Sequence, residues 1–368
     1  MMTVTRFGLV GSGWRAEFFR KLAGLLPQEL ELAGVAVRRS GRAEELRAAW
    51  GVPAFLSPLE LLRGTRPDFV ITSLPWHVNP AIVTELVLAG TKVLSETPPA
   101  PDAAALRALW SEVGAHGTVQ VAEQNPMLPG HAARAELIRH GVIGQATNVQ
   151  VSSTHTYHAI ALIRSMLGVD DAQPVRVNAS LVHAPLLDPL DRAGWTGDTE
   201  AKDATTTFAT FDFGDGRSGL YDFTTNQWHN QLRHRRIVIR GSRGEISDDD
   251  VAYARDATTI IRSPLVRQQL GYDLHLDGYD TELIAFQGEP VWRNPFLGHR
   301  LMDEEIAVGQ LLRATARWAT DRGPAPYPLA RACQDHLLGL AIDASLASGA
   351  TVTTSVEQWG DPAARIIA

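Results

Sequence analysis

Phe7-Gly8-Leu9-Val10-Gly11-Ser12-Gly13-Trp14-Arg15-Ala16 is a short apolar run that breaks at two glycines and then continues with helical spacing. It reads as the first strand, turn and helix of a dinucleotide-binding domain. Gly11 permits a tight turn, Gly13 lets backbone N–H groups approach a pyrophosphate, and Ala16 lets the helix pack close to the strand. The phosphate charge would then meet the free N–H groups and positive end of the helix dipole. Ser12, Trp14 and Arg15 fill the same turn and are placed at the cofactor with it.

Working outward, Glu29 to Val37 reads as a second, buried parallel strand. A carboxylate at the end of such a strand binds the ribose 2′-hydroxyl of NAD, whereas arginine accommodates the 2′-phosphate of NADP. Here the strand ends in Val37-Arg38-Arg39-Ser40, which leans the choice between NADP and NAD toward NADP. The next strand, from Asp68, runs into Ser73-Leu74-Pro75, and another ends in Ser95-Glu96-Thr97-Pro98. A last strand from Thr118 delivers Gln124 and Asn125. Such strand ends face the ligand crevice of an open α/β sheet, and strands alternating with helices predict a right-handed, mostly parallel sheet.

Past residue 125 the pattern changes. Alternating strands are expected over Ala146–Ser153, Val175–Val182, Ala204–Phe213, Gly219–Asn226 and Arg236–Arg240, with glycine hairpin turns at Phe213–Arg217 and Arg240–Gly244. Ile246 to Asn294 shows no clean period, and Asp303–Thr320 and Leu329–Ser348 read as closing helices. The fold class is therefore α/β: a Rossmann domain over 1–125 and a C-terminal α+β domain over 126–368 on an open, mostly antiparallel sheet.

The balance of 34 basic and 41 acidic residues, net −7, with no basic block, argues against nucleic acid as a partner. One cysteine, Cys333, excludes an internal disulfide and a multi-cysteine metal site. The sequence opens on a strand without a charged leader, and no apolar run reaches the ~18 residues a bilayer needs, so no membrane partner and a cytoplasmic location are expected.

The order of these motifs resembles the glucose–fructose oxidoreductase, inositol dehydrogenase and MocA (Gfo/Idh/MocA) family. The likeness runs through the glycine turn, Pro75, Val93-Leu94-Ser95-Glu96-Thr97-Pro98, Gly141-Val142-Ile143-Gly144, Tyr157-His158 with Leu167-Gly168, and Phe213-Gly214-Asp215-Gly216. It implies a nicotinamide cofactor, a C-terminal sheet used to form a homodimer or homotetramer, and reversible oxidation of a hydroxyl on a sugar, cyclitol or similar molecule. Two departures stand out. The family turn reads Glu-Lys-Pro, its lysine contacting cofactor and substrate, and here that position is Thr97. The family pattern Asp-x-x-x-His-x-x-Asp falls on Thr154, His158 and Ala161, so only the histidine is kept.

Oxidising an alcohol needs a group that takes the hydroxyl proton, and His158, of a type that titrates near ~6.5, suits that task. Thr97 can orient a substrate oxygen but titrates far too high to act alone as a base. Tyr157 can hydrogen-bond substrate or anchor a domain junction. Glu96 matches a position facing the nicotinamide ribose, with an exposed loop acid as the plain alternative. Lys92 sits at the wrong end of its strand to replace the missing lysine. His155 lies one turn before His158; with no third ligand nearby in sequence, no metal is expected, and His155 is assigned to the substrate. Asn125 and the run Asn226-Gln227-Trp228-His229-Asn230-Gln231 supply amides, an indole and an imidazole suited to a carbohydrate, with a subunit-interface loop as the alternative for the latter. Two other functions stay open: redox-neutral elimination or glycoside cleavage with transient oxidation by bound NAD, and a non-catalytic dinucleotide-binding or sensing protein.

Overall fold

A computed structural model describes residues 4–271 and 278–361. The chain divides into two compact units. The first begins with β1 (Thr5–Val10), α1 (Trp14–Leu25), β2 (Leu30–Ala36), α2 (Ser40–Trp50), β3 (Ala54–Phe55) and α3 (Pro58–Thr65). It continues through β4 (Phe69–Thr72), α4 (Asn79–Leu88), β5 (Lys92–Ser95), α5 (Ala103–Val113) and β6 (Val119–Val121). Its six strands are all parallel, in the order β3-β2-β1-β4-β5-β6. Phe7, Leu9, Val35, Phe69, Ile71, Val93 and Leu94 are fully buried, because helices cover both faces of such a sheet. Local signals set the helix starts: Ser57 Oγ accepts the Glu60 N–H ahead of Pro58, and Asp102 accepts the Ala105 N–H.

The second unit holds α6 (Pro129–Arg139), β7 (Ala146–Val151), α7 (Thr156–Leu167), β8 (Arg176–Leu186) and the small hairpin β9 (Leu190–Asp191) and β10 (Gly194–Trp195). Then come β11 (Lys202–Gly214), β12 (Arg217–Thr224), β13 (Ile237–Gly241), β14 (Gly244–Ser247), β15 (Asp250–Asp256), β16 (Thr259–Leu270), β17 (Asp280–Phe286) and β18 (Glu289–Arg293). An eleven-stranded sheet runs β18-β17-β16-β15-β14-β13-β7-β12-β11-β8-β19, with β19 at Val352–Thr353, and only β7 and β12 pair in parallel. Both expected hairpins form, the first through Gly214, Asp215 and Gly216 at positive φ.

Two expectations need correction. The stretch from Ile246 to Asn294, apart from its six residues outside the described set, is strand-rich; β16 alternates in burial over Thr259–Val266, but apolar Ile260 and Val266 stand at its exposed positions and Ser263 at a covered one, which erases the two-residue period from the sequence. The division at 125/126 is also too simple. α8 (Asp303–Ala319) and the start of α9 (Leu329–Ser348) belong to the first unit, which takes in Leu301–Gln334 and the described chain from Glu357. Ion pairs that no sequence period can reveal hold them there: Lys21 with Glu305 at 2.5 Å, Arg313 with Glu29 at 2.6 Å and Lys92 with Asp321 at 2.6 Å. No helix among the described residues is long and apolar enough to cross a membrane.

Candidate active site

In the first unit the site starts at the junction of β1 and β4, where the strand order reverses; ligands of open α/β sheets bind outside the strand ends at such a point. Gly11 has φ +112°, and a Cβ there would lie 2.1 Å from the Ser73 carbonyl oxygen. The two turns are thus in backbone contact, and only glycine fits. Gly13 is the N-cap of α1 and is exposed, and a Cβ there would meet nothing within 4 Å. Open space over a helix N-terminus whose N-cap offers no side-chain acceptor is what a pyrophosphate requires, so these residues fit a dinucleotide.

Around this turn the charges are arranged in two groups. Arg15 is buried, and its guanidinium donates from Nε to Glu96 at 2.8 Å, from one terminal nitrogen to Glu304 at 3.0 Å, and from the other to the Gln124 amide oxygen at 2.8 Å. Burial works against its charge, but Glu96 and then Glu304 outweigh it and raise its pKa. Arg15, Glu96 and Gln124, far apart in sequence, therefore meet as a fixed polar platform at the strand ends. Glu96 also accepts the Thr97 N–H at 3.2 Å. On the other side, Arg38 and Arg39 are exposed after β2, and Arg42 reaches back to Ser12, its Nε 3.2 Å from Ser12 Oγ. Arg42 lies inside a helical pattern, which carries no sign of its reach. Leu74 is half-buried, Pro75 is exposed, and Asn125 is buried with its N–H on Glu123 at 2.8 Å. Lys92 is occupied by Asp321 and by the carbonyls of Trp318 and Ala319, at the opposite end of β5 from Thr97.

The second unit brings together two stretches some seventy residues apart in sequence. His155 is the N-cap of α7, and Tyr157 and His158 lie in its first turn. The His155 ring stands 4.8 Å from that of His158 and 5.4 Å from the Trp228 indole, centroid to centroid. Trp228 stacks on Phe223 at 5.1 Å and has His229 at 6.0 Å. Trp228 is 42% exposed, so this indole presents an open face beside imidazoles. The buried Tyr157 ring lies between His158 at 5.5 Å and His336 at 6.2 Å; His336, on α9, is a member that sequence spacing could not reveal.

The amides of the loop have a different duty from the one their composition suggests. Asn226, at φ +63°, donates to both Asp188 oxygens at 2.8 Å and to the Leu190 carbonyl at 3.0 Å. Gln227 donates to the Ser152 and His234 carbonyls at 2.8 and 2.9 Å, and Asn230 to the Leu187 carbonyl at 2.9 Å. They pin the loop to its neighbours, while Trp228 and Gln231 are exposed and His229 is half-buried. No group of three or more His, Cys, Asp or Glu side chains among the described residues could hold a metal ion.

The parallel sheet, its glycine turn and the second open-sheet domain define a two-domain protein of the dinucleotide-binding class. Residues 5–123 match the Gfo/Idh/MocA family model, described as an oxidoreductase family with an NAD-binding Rossmann fold. The whole chain resembles solved structures of that architecture. One is an NAD-binding oxidoreductase from Klebsiella pneumoniae, with TM-score 0.69 and 16% identity, covering 96% of this chain and 99% of that one. Another is a myo-inositol dehydrogenase from Corynebacterium glutamicum, with TM-score 0.66 and 18% identity, covering 96% and 99%. A levoglucosan dehydrogenase in complex with NADH and levoglucosan has TM-score 0.67 and 18% identity, covering 95% and 99%. No curated protein matches the sequence. The likeness to the family thus lies in the NAD-binding Rossmann region, residues 5–123, and the solved structures extend the shared fold to nearly the whole chain.

Proposed function

We propose that this protein catalyses reversible hydride transfer between a nicotinamide dinucleotide and a hydroxyl-bearing carbon of a sugar, cyclitol or related small polyol. The observation that carries this reading is the convergence of His155, His158, Trp228 and His229 in the second unit. A half-exposed indole offers a flat apolar surface for the C–H face of a sugar ring, while the imidazoles exchange hydrogen bonds with its hydroxyls. His158 takes the hydroxyl proton as the carbonyl forms and returns it in the reverse direction. Bound nicotinamide supplies the hydride acceptor or donor. Neighbours of the same fold named as myo-inositol and levoglucosan dehydrogenases support the substrate class.

Glu96 and Gln124, held by Arg15, orient the cofactor, with Thr97, Ser73 and Asn125 as further polar contacts. Arg38, Arg39 and Arg42, with no acid at the end of β2, favour a 2′-phosphate and hence NADP. Exposed Leu181 and Val182 on β8 and Phe208 on β11 support self-association through the sheet.

The test is a screen of polyols with NAD and NADP, reading dihydronicotinamide absorbance, beside mass spectrometry of any nucleotide that copurifies. The expected result is reduction of NADP, and more weakly NAD, by at least one polyol. Stoichiometric bound cofactor with substrate consumed and no net absorbance change would favour a redox-neutral reaction instead.

A further inference from the structure

Trp14 and Trp76 are the two tryptophans of the first unit left exposed among the described residues, at 59% and 58%. Both belong to the turns that meet at the switch point. Trp14 opens α1 directly after Gly13, and Trp76 follows Pro75 in the turn after β4. The close approach of Gly11 to the Ser73 carbonyl fixes these two turns against each other. Each turn therefore carries an exposed indole, that of Trp14 with the Arg15 guanidinium 5.5 Å from its ring centre and Phe18 edge-on at 6.5 Å. Single exposed apolar side chains are ordinary on a surface, but two of the largest on paired turns at a ligand crevice call for an occupant.

The crevice chemistry selects that occupant. The α1 N-terminus favours the pyrophosphate, and the arginines after β2 stand on the adenosine side. Trp76, after β4, lies across β1 from β2, on the side left for the other ring of a dinucleotide. A planar, electron-poor nicotinamide is suited to stacking on an electron-rich indole.

We propose that Trp14 and Trp76 form an indole pair that covers the nicotinamide half of the bound dinucleotide, making Trp76 a determinant of cofactor affinity. This rests on the cofactor reading above. The experiment is N-bromosuccinimide oxidation of the full chain, mapped by peptide mass spectrometry, with and without NADP or NAD, beside calorimetric affinities for the parent, Trp76→Ala and Trp76→Phe. Trp195, 79% exposed in the second unit, is the internal reference. The expected result is that cofactor slows oxidation of Trp14 and Trp76 several-fold and leaves Trp195 unchanged, while Trp76→Ala weakens binding about tenfold and Trp76→Phe restores most of it. If the parent binds dinucleotide but both tryptophans oxidise at unchanged rates, or Trp76→Ala binds as the parent does, the indole pair is overturned and the cofactor reading stands. If the parent binds neither dinucleotide, both are overturned.

Discussion

A methyl group added at Gly11 would lie 2.1 Å from the Ser73 carbonyl oxygen, whereas one added at Gly13 would meet nothing within 4 Å. The first glycine is required by the fold; nothing in the fold requires the second, whose proposed role is in binding the dinucleotide. Gly11→Ala should therefore cost about 3 kcal/mol of stability, since φ +112° and the clash add together. Gly13→Ala should stay within about 1 kcal/mol of the parent, the loss of an N-cap preference, yet weaken dinucleotide binding about tenfold or more. Denaturant unfolding and calorimetry separate the two effects. Gly11 was legible as a tight turn because that role follows from backbone sterics. The reach of Arg42 to Ser12 and the clasp of Arg15 on Glu96, Gln124 and Glu304 were not, because long side chains choose partners in space.

Among the elements, the loop after β12 shows how composition leaves the duties of single side chains open. Its amides and aromatics suggested a carbohydrate surface, but Asn226, Gln227 and Asn230 hold the loop, while Trp228 is exposed and His229 half-buried. Asn226→Ala removes three hydrogen bonds and the residue type most tolerant of a left-handed backbone after glycine. It should cost about 2 kcal/mol, read from denaturant midpoints, and increase amide exchange across the loop. The parallel strands were legible because burial on both faces leaves continuous apolar runs. Strand β16 was not, since apolar Ile260 and Val266 at its exposed positions leave no period to read in the residues. Helix α8 was recognised as a helix but assigned to the wrong unit, because its docking depends on pairs such as Arg313 with Glu29, 284 positions apart.

At the scale of the whole molecule, stability should depend on pH through His131. The side chain is half-buried, and burial, with the Arg134 guanidinium 3.3 Å away, pushes its pKa from 6.5 down to about 3. The folded protein thus keeps this imidazole neutral while the unfolded chain protonates it. Its contribution is fully present above pH 6.5 and is lost as pH falls from 6.5 toward about 3, by at most about 1.4 kcal/mol per pH unit. His131→Gln should lose stability less steeply than the parent over that window in urea unfolding. An equal slope in both proteins would remove His131 from the account.

In the proposed reaction His158 moves the proton of a dinucleotide-dependent oxidation, a role that Thr97 cannot take over. The most direct measurement compares the parent with His158→Gln, using the best polyol from the screen at saturating dinucleotide, with cofactor affinity measured in parallel. If His158 carries the proton, turnover falls about a hundredfold or more with the dinucleotide bound as tightly as before. Turnover equal to that of the parent would contradict it.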